Sequence, residues 1–595
     1  MTTDLIPLLA AGEPAGGAPL KDLVPAALVA GLLTAAALGL GATHRSGRVT
    51  ALSRLAGLAS KAVPVPGWSA LPVLVTLGSL GIAAFGFFWD VATHIDSGRD
   101  SGPFANVAHY PILLGLGGVA LAGFLACVLG ADDRDRAALT LAPGWRVPLG
   151  GALLLLCGSV AMLGFPLDDV WHRIFGQDVT LWGPTHVLMI GGASLAPIAA
   201  WLLLVEGRRA SGKPHASRRL TLLAWEVQLA GATLIGLSTL QLEFGFGVPQ
   251  FQLAFHPILI ALAASIALVA ARLRLGRGGA LAATGAYLLV MTPMVLIIGP
   301  GFDHTFLHFP LYLVEAVLVE LAALAFARRG AIAVGAASGA LIGTVGLAAE
   351  FVFSHLVMPL PWPAALLPEA GVLALVAAVA GGLLGAHLGN GLEGRGRALP
   401  RLLPAAALAV VGACIAIPLS TSEGTPVRAS VALSETRPAP EREVVATLRL
   451  DPPQAAEGAK WMHAMAWQGG GSRLVELDEI APGTYRTAEP VPVHGDWKAN
   501  IRLHTGDAIL AMPVFLPEDL GIPAPEVPAE PRFERAFQLD SEVLRREERG
   551  AAGWLTGAAY GILGAVALAW LAAIVAAVTR FERLRPSVAG GTAPA

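Results

Sequence analysis

The chain has 595 residues, of which 55% are hydrophobic and 14% charged, with a formal net charge of -3. Soluble globular chains carry about 25% charged residues, so these figures exclude a disordered protein, a collagen-like fibre and an ordinary soluble enzyme, and leave a polytopic membrane protein. The charge balance gives no sign of a nucleic-acid partner. The three cysteines, Cys127, Cys157 and Cys414, lie in apolar runs, which excludes a disulfide framework and a CxxC zinc site.

Residues 1–22 read as a polar, extracytoplasmic lead-in without the basic start of a cleavable signal. A helix needs roughly 20 apolar residues to cross the hydrocarbon core. About thirteen windows meet that rule: 23–43, 70–89, 109–130, 147–166, 186–205, 220–241, 254–271, 280–300, 307–327, 331–352, 364–388, 402–419 and 553–579. The expected fold is an all-α polytopic helical bundle over 23–419, interrupted by a soluble insert and closed by the last span at 553–579. The insert is where the charge lies, because residues 421–550 hold 21 of the 43 acidic and 14 of the 40 basic residues.

The loops alternate in basicity. Arg45, Arg48, Arg54 and Lys61 begin one set, continued by Arg134, Arg136 and Arg146, by Arg208, Arg209, Lys213, Arg218 and Arg219, by Arg272, Arg274 and Arg277, by Arg328 and Arg329, and by Arg395, Arg397 and Arg401. The tail 580–595 adds Arg580, Arg583 and Arg585, while the intervening loops have almost no Lys or Arg. The positive-inside rule places the basic set and the C-terminus in the cytoplasm, and the N-terminus and residues 420–552 outside.

Histidines cluster in the poorly basic loops. One stretch reads Trp89-Asp90-Val-Ala-Thr-His94, then Asp100, then His109; a second reads Asp168-Asp169-Val-Trp-His172, then Asp178, then His186. Both are Asp-x3-His followed by Asp and by a His that opens the next span, the pattern of a duplicated helical hairpin. Weaker echoes are Glu243 with His256, Asp303 with His304 and His308, and Glu350 with His355, of which the first and last read as structural.

Asp and His at i and i+4 share a helix face, and a His at the start of the antiparallel neighbour can close on them. Ionisable groups at membrane depth mark sites by default. A carboxylate with two neutral imidazoles suits copper, zinc or iron. The expected ligand sets are Asp168/His172/His186, Asp90/His94/His109 and Asp303/His304/His308, with Asp178 and Asp100 as hydrogen-bond partners of the ligands. A salt-bridged cap holding each hairpin is the competing reading. Glu226, Glu315 and Glu320 lie within spans, as proton-relay groups or as partners of polar neighbours; the lone His387 reads as a packed residue.

The segment Asp168-Asp169-Val-Trp171-His172-Arg-Ile-Phe-Gly-Gln-Asp178-Val-Thr-Leu-Trp-Gly-Pro184-Thr185-His186 resembles part of the C subunit of copper membrane monooxygenases, the particulate methane and ammonia monooxygenases. The resemblance implies copper bound by Asp168, His172 and His186 near the outer membrane face. It covers about twenty residues, and the chain has about twice the spans of that family by hydrophobic length.

Residues 420–535 read as an extracytoplasmic β-sandwich of immunoglobulin or cupredoxin type, with alternating runs at 428–434, 443–450, 461–467, 484–488, 497–504 and 508–515. The stretch Gly483-Thr-Tyr485 through His494-Gly495-Asp-Trp497 to Leu503 is similar to FixH/YtkA-like domains, some of which are linked to copper handling and oxidase assembly. Met462, His463 and Met465 offer soft ligands for Cu(I), although alternate strand residues point to opposite faces. Residues 536–552 form a linker or helix before the last span. Three functions remain open: a copper membrane oxidoreductase acting on a small apolar substrate from the bilayer, a metal transport, delivery or oxidase-assembly protein working with copper-handling partners or other subunits, and a non-enzymatic sensor. No ATP-binding loop, nucleophile elbow or haem-attachment motif is present.

Overall fold

The structure, a computed structural model, describes residues 17–100, 104–130, 137–176, 180–211, 216–250, 252–393, 399–400, 402–419, 426–520, 524–544 and 553–583. Its main helices are α1 (Leu20–Arg45), α2 (Ala51–Ala62), α3 (Gly67–Ser97), α4 (His109–Leu129), α5 (Leu149–Phe175), α6 (Pro184–Ala210), α7 (Ala216–Ser238), α8 (Phe255–Leu275), α9 (Gly279–Leu296), α10 (Leu313–Phe326), α11 (Ala331–Val357, with a π turn at Ile342–Gly346), α12 (Val372–Glu393), α13 (Leu402–Ala416) and α14 (Gly553–Arg583). Among the described residues, eleven helices are long and apolar enough to cross a membrane. The windows at 307–327 and 402–419 yield the shorter α10 and α13. In the first of these, residues 304–312 run without helix between Asp303 and Tyr312, which hold positive φ of 61° and 56°. A left-handed residue interrupts helical propagation.

α3 has 31 residues and α5 has 27. At 1.5 Å per residue they measure about 46 and 40 Å, more than the roughly 30 Å hydrocarbon core. Their final, polar turns therefore have helix to spare beyond the core. Small residues bring the hairpins α3–α4 and α5–α6 together. A Cβ on Gly158 of α5 would meet Ala120 Cα of α4 at 2.4 Å, and one on Gly192 of α6 would meet Ala161 Cβ of α5 at 2.6 Å. Close backbone approach through Gly and Ala is how helices associate where lipid removes the hydrophobic drive.

The basic loops meet at one end of the bundle. Glu226 of α7 accepts from Arg208 of α6 and from Arg274 of α8, and Arg274 also donates to Leu392 O of α12. Arg209 donates to Phe581 O of α14 and Gly391 O. Glu320 of α10 pairs with Arg272 and accepts from the N–H groups of Gly278 and Ala280 at the start of α9. Glu226 and Glu320 thus pair with polar neighbours. His387 is packed, with its ring Nε2 3.3 Å from Thr579 Oγ1.

The insert is a near-closed antiparallel β domain. The main strand path runs β11 (Arg532–Ala536), β3 (Arg428–Arg437), β4 (Glu443–Asp451), β7 (Thr484–Thr487), β6 (Ser472–Ala481), β5 (Trp461–Trp467), β9 (Lys498–Thr505), β10 (Ala508–Phe515) and β12 (Gln538–Leu539). β6 joins the two faces, since its first half pairs with β5 and its second with β7. β8 (Val491–Pro492) pairs with β4, and a separate hairpin of β1 (Leu139–Ala142) and β2 (Trp145–Val147) lies between α4 and α5. That hairpin and α2 fall where the sequence suggests only loops.

Strand alternation splits β5 between two cores. Met462, Ala464 and Ala466 pack in the β core, whereas Trp461, Met465 and Trp467 pack against the helical body. The turn after β5 docks on the end of α3, with Gln468 N–H donating to Ile95 O and Gly470 N–H to Asp96 O. These bonds satisfy carbonyls that a helix C-terminus leaves open. Arg502 of β9 is 2% exposed and pairs with Asp540 at 2.7 Å, while donating to Pro249 O of the helical body at 2.5 Å.

Candidate metal centres

Two groups of three or more carboxylate and imidazole ligands converge among the described residues: Asp90, His94, Asp100 and His109, and Asp168, His172 and His186. Within each group the ligand atoms all lie within 4.8 Å of one another.

In the first centre, α3 supplies Asp90 and His94 and the start of α4 supplies His109. Asp90 Oδ1 lies 3.4 Å from His94 Nε2 and 3.0 Å from His109 Nε2. Asp100 Oδ2 lies 3.4 and 3.5 Å from the same two nitrogens. Asp100, expected from sequence to support a ligand, therefore stands in the ligand set itself, because the chain turns back sharply after α3. Gly98 makes that turn with φ of 87° and ψ of -147°, and its carbonyl lies 2.9 Å from His94 Nδ1. Asn106, which the sequence did not single out, donates through Nδ2 to Asp90 Oδ1 and Asp100 Oδ2 at 2.6 and 3.1 Å. Its Oδ1 accepts the Ala108 N–H, which sets the orientation of the amide.

In the second centre, α5 supplies Asp168 and His172, and α6 supplies His186. Asp168 Oδ2 is 3.6 Å from His172 Nε2, and Asp168 Oδ1 is 3.4 Å from His186 Nε2. Thr185 Oγ1 donates to Asp168 Oδ1 at 2.6 Å. Gly176 ends α5 as Gly98 ends α3, with φ of 88°. Both glycines donate their N–H to the carbonyl of the preceding ligand, His94 or His172. The repeat is thus Asp-x3-His-x3-Gly, and the glycine was visible at the same offset in both copies. The neighbouring Asp169 belongs to another contact. It pairs with Arg173 at 2.7 Å and accepts the Ala18 N–H, tying down the chain before α1. Asp178 lies outside the described residues.

Outer contacts orient the imidazoles. His186 Nδ1 lies 2.8 Å from Thr180 O. A carbonyl only accepts, so Nδ1 of His94 and of His186 carries the hydrogen and Nε2 faces the carboxylate with its lone pair. Lone pair opposite carboxylate oxygen is an acceptor–acceptor arrangement, which a proton or a metal ion on Nε2 resolves. Glu243 holds the loop that presents Thr180. It accepts from Thr180 Oγ1 at 2.6 Å, Leu181 N–H at 2.7 Å and Gln250 N–H at 3.1 Å. Its role is positional, in line with the structural reading of that echo. His256, its expected partner, stacks on Phe244 with ring centroids 5.0 Å apart.

The set Asp303/His304/His308 is not brought together. His304 Nδ1 pairs with Asp96 Oδ2 at 2.9 Å, and Thr305 donates to the same carboxylate through both its N–H and its hydroxyl. Asp303 is exposed, and His308 sets its ring edge against Phe306. The cause is the tight backbone turn at Asp303, which sends successive side chains apart. His355 bonds the Phe351 carbonyl of its own helix. In the β domain, Met462 lies in the β core and His463 stacks on Trp461, while Met465 Sδ accepts from Arg502. Alternation on the strand separates Met462 from the other two, so the three do not form one ligand set. Burial, reinforced by the Arg502 charge, holds His463 well below the usual imidazole range.

Both centres open on one cavity of 690 Å³ between the helices and the β domain. Its wall includes Asp90, His94, Asp100, His109, Asp168, His172 and His186, with apolar side chains such as Leu80, Phe87, Ile112, Leu116 and Met189. Phe165 belongs to the same wall, its ring T-shaped to that of His109 with centroids 6.1 Å apart. Met465, Trp467 and Arg502 of the β domain close the cavity from the other side. No protein-family model matches this chain, and comparison with curated proteins and with solved structures finds no similar protein.

Proposed function

We propose that this chain is a multi-pass membrane copper protein of the copper membrane monooxygenase type, with Asp168, His172 and His186 as its copper ligands. The donor set fits, since one carboxylate and two imidazoles with lone pairs suit a borderline ion. Copper there would supply oxidative chemistry, and the chain's own residues hold and orient a small apolar molecule in the shared cavity. The observation that carries this reading is the opening of two Asp/His groups on one apolar-walled space. Such walls select apolar ligands and exclude water. A delivery role for the β domain is less well supported, because Met465 Sδ is engaged by Arg502 and Met462 lies in the core. By the charge of the loops, the centres and the β domain face outward and the basic end of the bundle faces the cytoplasm.

The test is metal analysis of the purified full chain beside a His172→Ala/His186→Ala variant. Copper is expected at about one equivalent in the parent and lost in the variant. Equal copper in both would overturn the proposal.

A further inference from the structure

Other carboxylates buried among the helices are engaged. Glu226 is held by Arg208 and Arg274, Glu320 by Arg272, and Glu206 accepts the Leu149 and Gly150 N–H groups at 2.8 Å. Glu315 of α10 and Glu350 of α11 differ. They are 1% and 5% exposed, and among the described residues both oxygens of Glu315 and Oε2 of Glu350 have no hydrogen-bond partner. The backbone brings the two together. Glu350 accepts the Tyr312 N–H at the start of α10, and Glu315 follows in the first turn of that helix. The π turn of α11 ends at Gly346, one helical turn before Glu350, and a Cβ on Gly346 would meet Glu315 Oε1 at 3.1 Å. π turns of this kind are frequent at functional sites.

The surroundings supply no positive charge. Tyr312 and Tyr287 of α9 are fully buried, but their hydroxyls bond elsewhere, Tyr312's with Ser238 and Gln241 and Tyr287's with Pro310 O. α8 has no titratable side chain between His256 and Arg272, nor has α12 before His387. His256 stacks on Phe244, His355 bonds Phe351 O, and Glu369 ahead of α12 pairs with Lys460.

We infer that Glu315 and Glu350 form a proton-binding site, in which one proton is held between the two carboxylates. Two ionised carboxylates buried side by side repel each other and forgo their hydration, a cost that a proton between them relieves. The carboxyl donates its hydrogen to the facing carboxylate, which gives the orphaned oxygens a partner. The single charge left over sits at the N-terminus of α10, where the helix dipole favours a negative group. Carboxylates inside membrane helices mark proton and ion pathways by default. Neither residue lines the cavity shared by the metal centres, so the inference stands apart from the metal reading.

Two measurements on the purified full chain test it. In sodium-free buffer, infrared spectra should show a protonated-carboxyl band that is lost in Glu315→Gln/Glu350→Gln. Dicyclohexylcarbodiimide, an apolar reagent that adds to protonated carboxyls, should label Glu315 or Glu350 of the parent and leave the arginine-paired Glu226 and Glu320 unmodified, as read by peptide mass spectrometry. The labelling uses the parent alone, so it decides the question even if the double variant does not fold. Added Na+ should change neither readout. No adduct on either residue, or a band unchanged in a folded double variant, would overturn the inference. Suppression of the band or the adduct by Na+ would overturn it too, and assign the pair to a metal cation.

Discussion

Glu243 is the most informative residue to change, because it touches no expected ligand and yet sets one of them. Its carboxylate accepts from Thr180 Oγ1 and Leu181 N–H through Oε1, and from Gln250 N–H through Oε2. Thr180 O in turn receives His186 Nδ1, which aims Nε2 at Asp168. Glu243→Gln places an amide NH2 against one of these donors, so at least one hydrogen bond is lost and a buried donor is left unsatisfied, at about 1–3 kcal/mol. Part of that cost falls on the loop and part on the angle of the imidazole. Supporting residues of this kind are worth roughly 10–100-fold in metal affinity, or about 1.4–2.7 kcal/mol. The expected result is a copper affinity at Asp168/His172/His186 weakened within that range in a chelator-competition titration, with circular dichroism of the variant as the control for folding. Unchanged copper affinity in a folded Glu243→Gln protein would refute the chain of contacts from Glu243 to His186.

Arg502→Met leaves Asp540 buried without its cation, and breaking such a pair costs about 3–5 kcal/mol; thermal unfolding of the full chain should show a marked loss that Arg502→Met/Asp540→Leu partly restores. Gly176→Ala forces a side chain into a glycine-only conformation at φ of 88°, with a cost of about 1–3 kcal/mol and a weakened second centre, both readable by melting and metal content. His504 of β9 is pushed down to about 3 by burial, with the Lys460 and Arg502 charges adding to it. Its unfolded value lies near 6.5, so the unfolded chain binds the extra proton; the stability that this histidine contributes is full above pH 6.5 and is lost as pH falls toward 3. His504→Gln should flatten that part of the pH profile of the melting temperature.

Much of the architecture was legible in the chain. Every apolar window carried a helix, although those at 307–327 and 402–419 are too short to span, and the described basic residues gathered at one end, because bilayer solvation and loop charge act on local composition. Asp90 with His94 and Asp168 with His172 were readable because an i,i+4 pair depends only on helix periodicity. The closing histidines, His109 and His186, followed from the shortness of the loops. Local pattern failed where the backbone departs from regular geometry, as at Asp303, whose positive φ disperses the residues that looked like a third ligand set.

The sequence by itself thus determined the apolar spans, the duplicated hairpin and three candidate ligands of each centre, all of them consequences of composition and short-range period. Only the tertiary structure decided that Asp100 enters the first centre, that Asp96 takes His304, that Glu243 governs His186, and that both centres share one cavity beneath the β domain. Apart from Asp100, these contacts join segments far apart in the chain, as does that of Gln468 with the end of α3. Their partners are selected by how small residues let helices approach and by which helix-end carbonyls still need a donor, and no local spacing encodes either.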